Sequence, residues 1–178
     1  TPNSAWYYRD AVYAYVNGLL SGTTDTDFSP DLAMTRGMLV TILWRMENMP
    51  SVSASSFLDV EDGIYYADAV AWASAQDLVS GYSASVFGAE EQITREQMAT
   101  ILYRYAQYKG YDVSVGEDTN ILSYNDALNI SEYAIPTMQW ACGAGLLQGS
   151  DGNLTPQGEA SRAQVAAILH RFSENVAK

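Results

Sequence analysis

The sequence predicts an all-α protein made of three helix–loop–helix repeats, and two observations carry that prediction. The segment from Thr94 to Tyr105 has two further copies, which begin at Thr35 and Ser161. In each copy a hydroxyl residue stands where a helix N-cap belongs, and apolar residues then recur at i, i+3, i+4 and i+7, as on one face of a helix. A second helical pattern precedes each copy, so each repeat contains two helices.

The first helices are predicted from their apolar pattern over residues 6–20, 66–79 and 131–147. A glycine follows each of them at a position that suits a helix C-cap: Gly22, Gly81 and Gly149. Polar linkers at residues 50–56 and 112–120 separate the repeats. We therefore expect a single domain over residues 1–178, divided into repeats at 1–49, 57–110 and 124–178. Three such units permit a closed arrangement.

Two columns of aromatic residues recur in the first helices. Nine residues ahead of the glycine stand Tyr13, Trp72 and Trp140, which we interpret as core residues. Sixteen ahead stand Trp6, Tyr65 and Tyr133. Because this outer column lies at the helix start, two interpretations stay open for it: packing against the core, or an exposed platform on which a sugar ring stacks.

Arginine has an unusual position in the second helices. Arg36, Arg95 and Arg162 fall in the first helical turn, where a cation faces the positive end of the helix dipole at a cost of roughly 0.3–1 kcal/mol. Exposed amide groups at a helix N-terminus, together with a guanidinium, suit a carboxylate or phosphate, so we favour an anion receptor for this first column. The alternative is that each arginine pairs with an acid or a carbonyl of a neighbouring repeat. For the second column, nine residues later, the two interpretations are equally strong; this column consists of Arg45, Arg104 and Arg171.

Composition excludes several classes of function. The 178 residues carry a formal net charge of −12 with only nine Lys and Arg, which argues against binding to nucleic acid or to an anionic membrane. There is no apolar run long enough to span a membrane and no signal-peptide pattern, so we expect a segment of a longer secreted protein. Cys142 is the single cysteine and lies in an apolar stretch, which indicates a core position and no intrachain disulfide.

These residues and their order resemble the S-layer homology domain in its usual triple form. That pattern runs from Phe-x-Asp-Val through an aromatic-led first helix, a Leu-x-x-Gly end and a Phe-x-Pro loop to Thr-Arg-Ala-Glu. Repeat 2 matches best, from Phe57-Leu58-Asp59-Val60 to Thr94-Arg95-Glu96-Gln97. Repeat 3 has Tyr124-Asn125-Asp126 and Ser161-Arg162-Ala163-Gln164. Repeat 1 has no upstream element because the sequence begins at Thr1, and its style is similar to copies from Gram-positive gut bacteria.

The resemblance implies a pseudo-threefold spindle around a central helical bundle, with glycan grooves between neighbouring repeats. It implies non-covalent anchoring of an exported protein, at the cell surface, to secondary cell-wall polysaccharide that often carries pyruvate ketals. In this sequence Arg36, Arg95 and Arg162 would then hold the ketal carboxylate, and Asp59 and Asp126 would bind sugar hydroxyls or brace the groove. The loops that begin at Gly22, Gly81 and Gly149 would form its walls. We also count Tyr65, Tyr133, Gln97 and Gln164 among the candidate ligand-binding residues. We expect no cofactor, no metal, no nucleic acid, no membrane insertion and a monomer.

The sequence departs from the family pattern in repeat 1 above all. The motif glutamate is Met38 there and Gln97 and Gln164 in the other repeats, so an Arg-Glu brace is absent throughout. Gly37 weakens the start of the second helix of repeat 1. We therefore rank the sites as repeat 2, then repeat 3, then repeat 1.

The residues argue against two other functions and leave a third open. An enzyme is disfavoured because no pair of acids recurs in all three copies and the lone His170 stands in the packing column of Trp44 and Tyr103. The segment from Asp25 resembles an EF-hand loop, but Pro30 replaces the turn glycine and Arg36 replaces the bidentate glutamate. An acidic module for protein–protein contact or for an S-layer lattice stays as the alternative to glycan anchoring.

Overall fold

The computed structural model describes residues 3–178, and in that range the chain is helical, with isolated bridges between loops and no sheet. The expected all-α class is confirmed. The six α-helices are α1 (Tyr8–Val16), α2 (Arg36–Met46), α3 (Ala67–Ala75), α4 (Arg95–Tyr108), α5 (Ile135–Gly143) and α6 (Arg162–Asn175). Short 3₁₀ turns at Ser114–Gly116, Ala127–Asn129 and Glu132–Ala134 lie between the second and third repeats and ahead of α5.

Helices pair between repeats more than within them. The first helix of each repeat packs on the second helix of the repeat before it, so α3 lies against α2 and α5 lies against α4. The same relation closes the circle, because α1 of repeat 1 packs on α6 of repeat 3. The three repeats are therefore interlocked.

The first helices are shorter than predicted, because each ends in a Schellman motif directly before its Leu-rich stretch. Residue C′ has a positive φ in each: 68° at Gly18, 56° at Asp77 and 71° at Gly145. The next residue then donates its N–H back into the last turn, from Leu19 to Ala14, from Leu78 to Ala73 and from Leu146 to Ala141. The assignment of Gly22, Gly81 and Gly149 as C-caps is therefore wrong.

Gly81 and Gly149 serve close packing instead. A Cβ at Gly81 would lie 2.5 Å from Cε1 of Phe57, and one at Gly149 would lie 2.4 Å from Cε1 of Tyr124. The aromatic residue ahead of each first helix thus packs directly on this loop glycine. A side chain here would displace the element that opens the repeat.

Three buried backbone hydrogen bonds join the repeats in a closed cycle that we call the backbone triangle. The N–H of Met34 donates to the carbonyl of Ala160 at 2.8 Å, Ala160 donates to Ile93 at 3.0 Å, and Ile93 donates to Met34 at 2.9 Å. All three residues are fully buried. Each is the residue before the N-cap of α2, α4 or α6, so the triangle fixes the starts of the three second helices relative to one another.

Two of the three residues of the inner aromatic column are buried as expected. Trp72 and Trp140 lie in the core, and Trp140 contacts Phe172 of α6 with ring centroids 6.4 Å apart. Tyr13 is half-buried and stacks on His170 at 4.2 Å, so that histidine occupies a packing position. Among residues 3–178, no helix has the length and apolarity needed to cross a bilayer.

Deleting residues 111–178 should abolish cooperative folding. The fragment loses Ala160, so the N–H of Met34 and the carbonyl of Ile93 lose their buried partner, at about 1–3 kcal/mol for each group left unpaired. It also exposes the faces of α1 and α4 that pack on α6 and α5. Circular dichroism on heating and binding of an apolar dye, compared with the full chain, test this. A well-dispersed NMR spectrum of the fragment would contradict it.

Candidate ligand-binding groove

The backbone amides at the starts of α2, α4 and α6 are already bonded. The first two N–H groups of α2 donate to the carbonyls of Glu91 and Ala89, which belong to repeat 2. The third donates to the N-cap side chain, as from Met38 to Thr35 Oγ1 at 3.2 Å. Repeats 2 and 3 follow the same scheme, with carbonyls of the next repeat in the cycle: Gly158 and Pro156 for α4, Leu32 and Pro30 for α6. The expectation that these amides are exposed for an anion is therefore wrong.

The first-turn arginines also bond to the next repeat. Arg95 donates from Nε to the carbonyl of Leu154 at 2.8 Å and from Nη2 to that of Gln148 at 3.3 Å. Arg162 makes the equivalent bonds to Phe28 and Ser21. These carbonyl oxygens are what offset the unfavourable helix dipole at each site. Whether the arginines also bind a ligand stays a prediction.

Arg36 departs from this scheme. Its Nη2 donates to the carbonyl of Ser80 at 2.8 Å, but its Nε is buried and has no hydrogen-bond partner. The residue is only 6% exposed, and its guanidinium carbon lies 4.7 Å from the ring centroid of Tyr82 and 4.8 Å from that of Phe87. Burial lowers the pKa of Arg36, which the nearby Tyr82, Tyr133 and Glu91 partly oppose. A buried cation with an unused donor is an unusual arrangement.

Arg36 opens onto a cavity of about 270 Å³ that we call the Arg36 groove. All three repeats contribute to it: repeat 1 supplies Arg36, repeat 2 supplies one wall, and repeat 3 supplies Tyr133. Three residues predicted from the sequence, Arg36, Gln97 and Tyr133, are thus brought together. The full lining is Arg36, Val79, Ser80, Tyr82, Gln97, Thr100, Ile101, Arg104 and Tyr133.

One member of the second arginine column makes no hydrogen bond within residues 3–178, and it lines the same groove. Arg45 donates to the carbonyl of Leu19 at 3.5 Å, and Arg171 donates to that of Leu146 at 3.2 Å. Arg104 is exposed and, within residues 3–178, makes no hydrogen bond or ion pair with the protein. The Arg36 groove therefore combines two cations that both have unused N–H groups.

The equivalent positions at the other two junctions are less suited to an anion. At the junction that contains Arg95, Ser150 takes the place of Tyr82. At the junction that contains Arg162, Thr23 takes the place of Tyr82 and Met38 takes the place of Gln97. Both of those arginines use Nε for a carbonyl. A ranking of sites by repeat does not carry over to the structure, because each junction takes its residues from more than one repeat.

Asp59 and Asp126 brace their repeats. Asp59 accepts from the N–H groups of Phe87 at 2.8 Å and Gly88 at 2.7 Å. Asp126 accepts from those of Leu154 at 2.8 Å and Thr155 at 2.7 Å. The bonds hold the segment ahead of the first helix to the loop behind Gly81 or Gly149. Of the two roles that the resemblance implied, the structure contains the contacts for bracing.

Gln97 and Gln164 complete capping boxes, which is a role the sequence analysis missed. The Oε1 of Gln97 accepts from the N–H of Thr94 at 3.2 Å, while the Thr94 hydroxyl accepts from the N–H of Gln97. Ser161 and Gln164 do the same in repeat 3. The Thr-x-x-Gln spacing was a sufficient signal for it.

The outer aromatic column is exposed. Trp6, Tyr65 and Tyr133 are 66%, 53% and 55% exposed, which is the geometry that a stacking platform requires. Only Tyr133 of the three lines the Arg36 groove. Tyr82 was not predicted from the sequence. Its one signal is that it follows Gly81, at a position where the other repeats have Thr23 and Ser150.

These features define a helical domain of three interlocked repeats with an arginine-lined groove at one junction. The profile of the S-layer homology domain matches residues 1–37, 56–99 and 123–166. The chain therefore belongs to the S-layer homology domain family, and the resemblance seen in its motifs is confirmed.

Relatives in this family are much longer than the chain. It is 29% identical to an exoglucanase XynX of Acetivibrio thermocellus over 88% of its own length and 14% of the relative. It is 26% identical to a surface-layer 125 kDa protein of Lysinibacillus sphaericus over 96% of its length and 14% of the relative. A cellulosome-anchoring protein of Acetivibrio thermocellus is 24% identical over 83% of the chain, which spans 33% of that protein.

Replacing Asp59 by Asn should destabilise the fold near neutral pH but not in acid. Burial raises the pKa of Asp59, but the N–H groups of Phe87 and Gly88 outweigh it, so the pKa lies below the usual value. Its stabilising effect is then present above the unfolded-state pKa of about 3.9 and is lost as the pH falls through the folded-state pKa.

We expect Asp59→Asn to lower the free energy of unfolding by about 1 kcal/mol at pH 7. The difference from wild type should shrink as the pH approaches 2. Urea unfolding at several pH values measures this. Asp62→Asn is the matched control, because Asp62 is exposed and lies in the same segment. A constant difference for Asp59→Asn at all pH values would contradict the bracing role of the carboxylate.

Proposed function

We propose that the chain is a non-catalytic carbohydrate-binding module that anchors an exported protein, at the cell surface, to secondary cell-wall polysaccharide. The ligand group is a carboxylate, such as that of a pyruvate ketal, held in the Arg36 groove by Arg36 and Arg104. The family membership and the surface-layer and cellulosome-anchoring names of two relatives support anchoring as the general role. The chain spans at most a third of these relatives, so the protein that it anchors is outside this proposal.

The observation that carries the proposal is the pair of unused donors. The Nε of Arg36 is buried without a partner, and the exposed Arg104 shares the same groove. In a chain of net charge −12, two cations without an ion-paired acid in one cavity are suited to an anion from outside. A planar guanidinium matches a carboxylate, and a groove of about 270 Å³ admits a single sugar residue.

Aromatic and amide groups complete a sugar-binding surface. Tyr82 covers one face of Arg36, and the exposed Tyr133 stands beside it. Aromatic faces stack on the apolar face of a sugar ring, while the side chain of Gln97 and the carbonyl of Ser80 offer polar contacts at the wall. No proton-transfer pair is part of this arrangement, which is why the proposal is binding without catalysis.

One observation favours the alternative, a module for contact with another protein. Leu122 and Leu128 are 75% and 92% exposed and line a second cavity, together with Ile135. Apolar residues so exposed are common at protein interfaces. Binding to wall polysaccharide that has been stripped of protein separates the two functions.

Changing Arg104 to Lys should weaken glycan binding without affecting stability. Lysine keeps the charge but loses the two-pronged contact, and the loss of one charged hydrogen bond, worth about 1.5–3 kcal/mol, weakens binding tenfold or more. The melting temperature should not change, because Arg104 makes no bond within the described chain.

Arg171→Lys is the matched control. Arg171 occupies the same helix position in repeat 3 but donates to the carbonyl of Leu146, so this variant should melt lower and bind as wild type does. Both variants are titrated with protein-free wall polysaccharide of a Gram-positive bacterium, before and after mild-acid removal of ketals. Equal affinity of Arg104→Lys and wild type for the untreated glycan would contradict the proposal.

A further inference from the structure

We infer that Glu96 is a positioning residue that makes Tyr133 a hydrogen-bond acceptor toward the ligand. The Arg36 groove would then select a sugar whose carboxylate is accompanied by a hydroxyl group that donates to the Tyr133 oxygen. The inference rests on the proposed function, because it names the ligand chemistry of the same groove.

Glu96 is a buried acid that the helix itself does not need. It is only 2% exposed, and within residues 3–178 it has no Lys, Arg or His at ion-pair distance. The same position is Gly37 in α2 and Ala163 in α6, so the backbone triangle and the capping interactions form without an acid there. Its presence in repeat 2 alone points to a local role at the junction with repeat 3.

The contacts of Glu96 require its carboxyl group to accept. Oε2 accepts from the N–H of Ser131 at 3.0 Å, and Oε1 accepts from Nε2 of Gln157 at 2.7 Å. These two N–H groups cannot reverse their direction. The hydroxyl of Ser131 also donates to Oε1, at 2.7 Å, and that of Tyr133 donates at 3.2 Å.

The direction of that last bond decides what Tyr133 offers to a ligand. A phenol has one proton, and here it is directed at Glu96, so the remaining lone pairs of the oxygen can only accept. Burial and the adjacent Glu96 raise the pKa of Tyr133 to about 12, so the phenol stays neutral at physiological pH. The Arg36 groove thus has a cationic side at Arg36 and Arg104 and an acceptor side at Tyr133.

An acceptor at this point discriminates between ligand groups. A sugar hydroxyl can donate to the Tyr133 oxygen, whereas a carboxylate oxygen placed there would face a lone pair. The carboxylate is therefore directed to the arginines and the hydroxyl to Tyr133. If Glu96 could not accept, the phenol proton would be free to turn into the groove and this distinction would be lost.

The test uses a defined probe, the 4,6-pyruvate ketal of a methyl hexoside, together with its 2-deoxy and 3-deoxy forms and its 2-fluoro and 3-fluoro forms. Fluorine in place of the hydroxyl can accept a hydrogen bond but cannot donate one. Affinities are measured by NMR titration of the whole chain. We expect wild type to bind one deoxy form about five- to tenfold more weakly than the parent, which is the usual range for one hydrogen bond. In Tyr133→Phe the parent should bind as weakly as that deoxy form, and removal of the hydroxyl should have no further effect.

In Glu96→Ala, which copies repeat 3, the phenol proton has lost its acceptor and can donate into the groove. The fluoro form should therefore bind more tightly than the deoxy form in this variant, whereas in wild type the two should bind equally weakly. In the double variant with Tyr133→Phe the fluoro and deoxy forms should again bind equally, as in Tyr133→Phe alone. Gln157→Ala is the control: it removes another contact of Glu96 and lowers stability but leaves the Tyr133 bond, so the two forms should bind equally, as in wild type. Should Glu96→Ala not fold, Glu96→Met, which keeps the length of the side chain without a carboxyl oxygen, replaces it.

The outcomes separate this inference from the proposed function. If wild type binds the ketal but shows no deoxy penalty, or if Glu96→Ala does not bind the fluoro form more tightly than the deoxy form, the role of Glu96 is overturned and carboxylate binding stands. If Gln157→Ala gains the same preference for the fluoro form as Glu96→Ala does, the effect is general loosening and the inference is also overturned. If wild type fails to bind the ketal at all, the proposed function itself is overturned.

Discussion

The rest of the structure depends on the backbone triangle of Met34, Ile93 and Ala160. Each of these buried residues donates to one neighbour and accepts from the other, so no repeat can satisfy its own groups and no pair of repeats can close the cycle. An unpaired buried backbone group costs about 1–3 kcal/mol, which makes the arrangement of three strongly favoured over any smaller one. The exchange of first helices between repeats, with α1 on α6, acts in the same direction.

The same closure determines where a ligand can bind. Carbonyls of the next repeat bond to the first amides of α2, α4 and α6 and to the guanidinium groups of Arg95 and Arg162. Two of the three junctions have thereby used the donors that an anion would need. At the third, Tyr82 and Phe87 enclose Arg36 and its Nε stays unpaired, so a fold that is nearly threefold has one distinct groove.

The sequence patterns correctly predicted those features that depend on interactions between residues close together in the chain. The second helices begin at Arg36, Arg95 and Arg162 as their N-caps indicated, and Trp72 and Trp140 are buried as their spacing indicated. The sequence could not show that α3 packs on α2 of the preceding repeat, because periodicity identifies an apolar face and not its partner.

For the same reason the amides of the second helices were wrongly expected to be free, and nothing in the pattern distinguished Arg104 from Arg45 and Arg171. The groove was only partly predictable. Arg36, Gln97 and Tyr133 were identified because similar residues recur at the same position of other repeats. Tyr82 and Glu96 each occur in one repeat, so the repeat pattern gave no signal for them.

Native-state hydrogen exchange at the amides of Met34, Ile93 and Ala160 tests the central claim most directly. If the backbone triangle joins the repeats into one cooperative body, all three amides exchange only through global unfolding. Their opening free energies should then agree with each other and with the free energy of unfolding from urea, and should fall with urea at the same slope. A lower opening free energy or a shallower slope at any one of the three would show that a repeat opens alone, and would contradict the account.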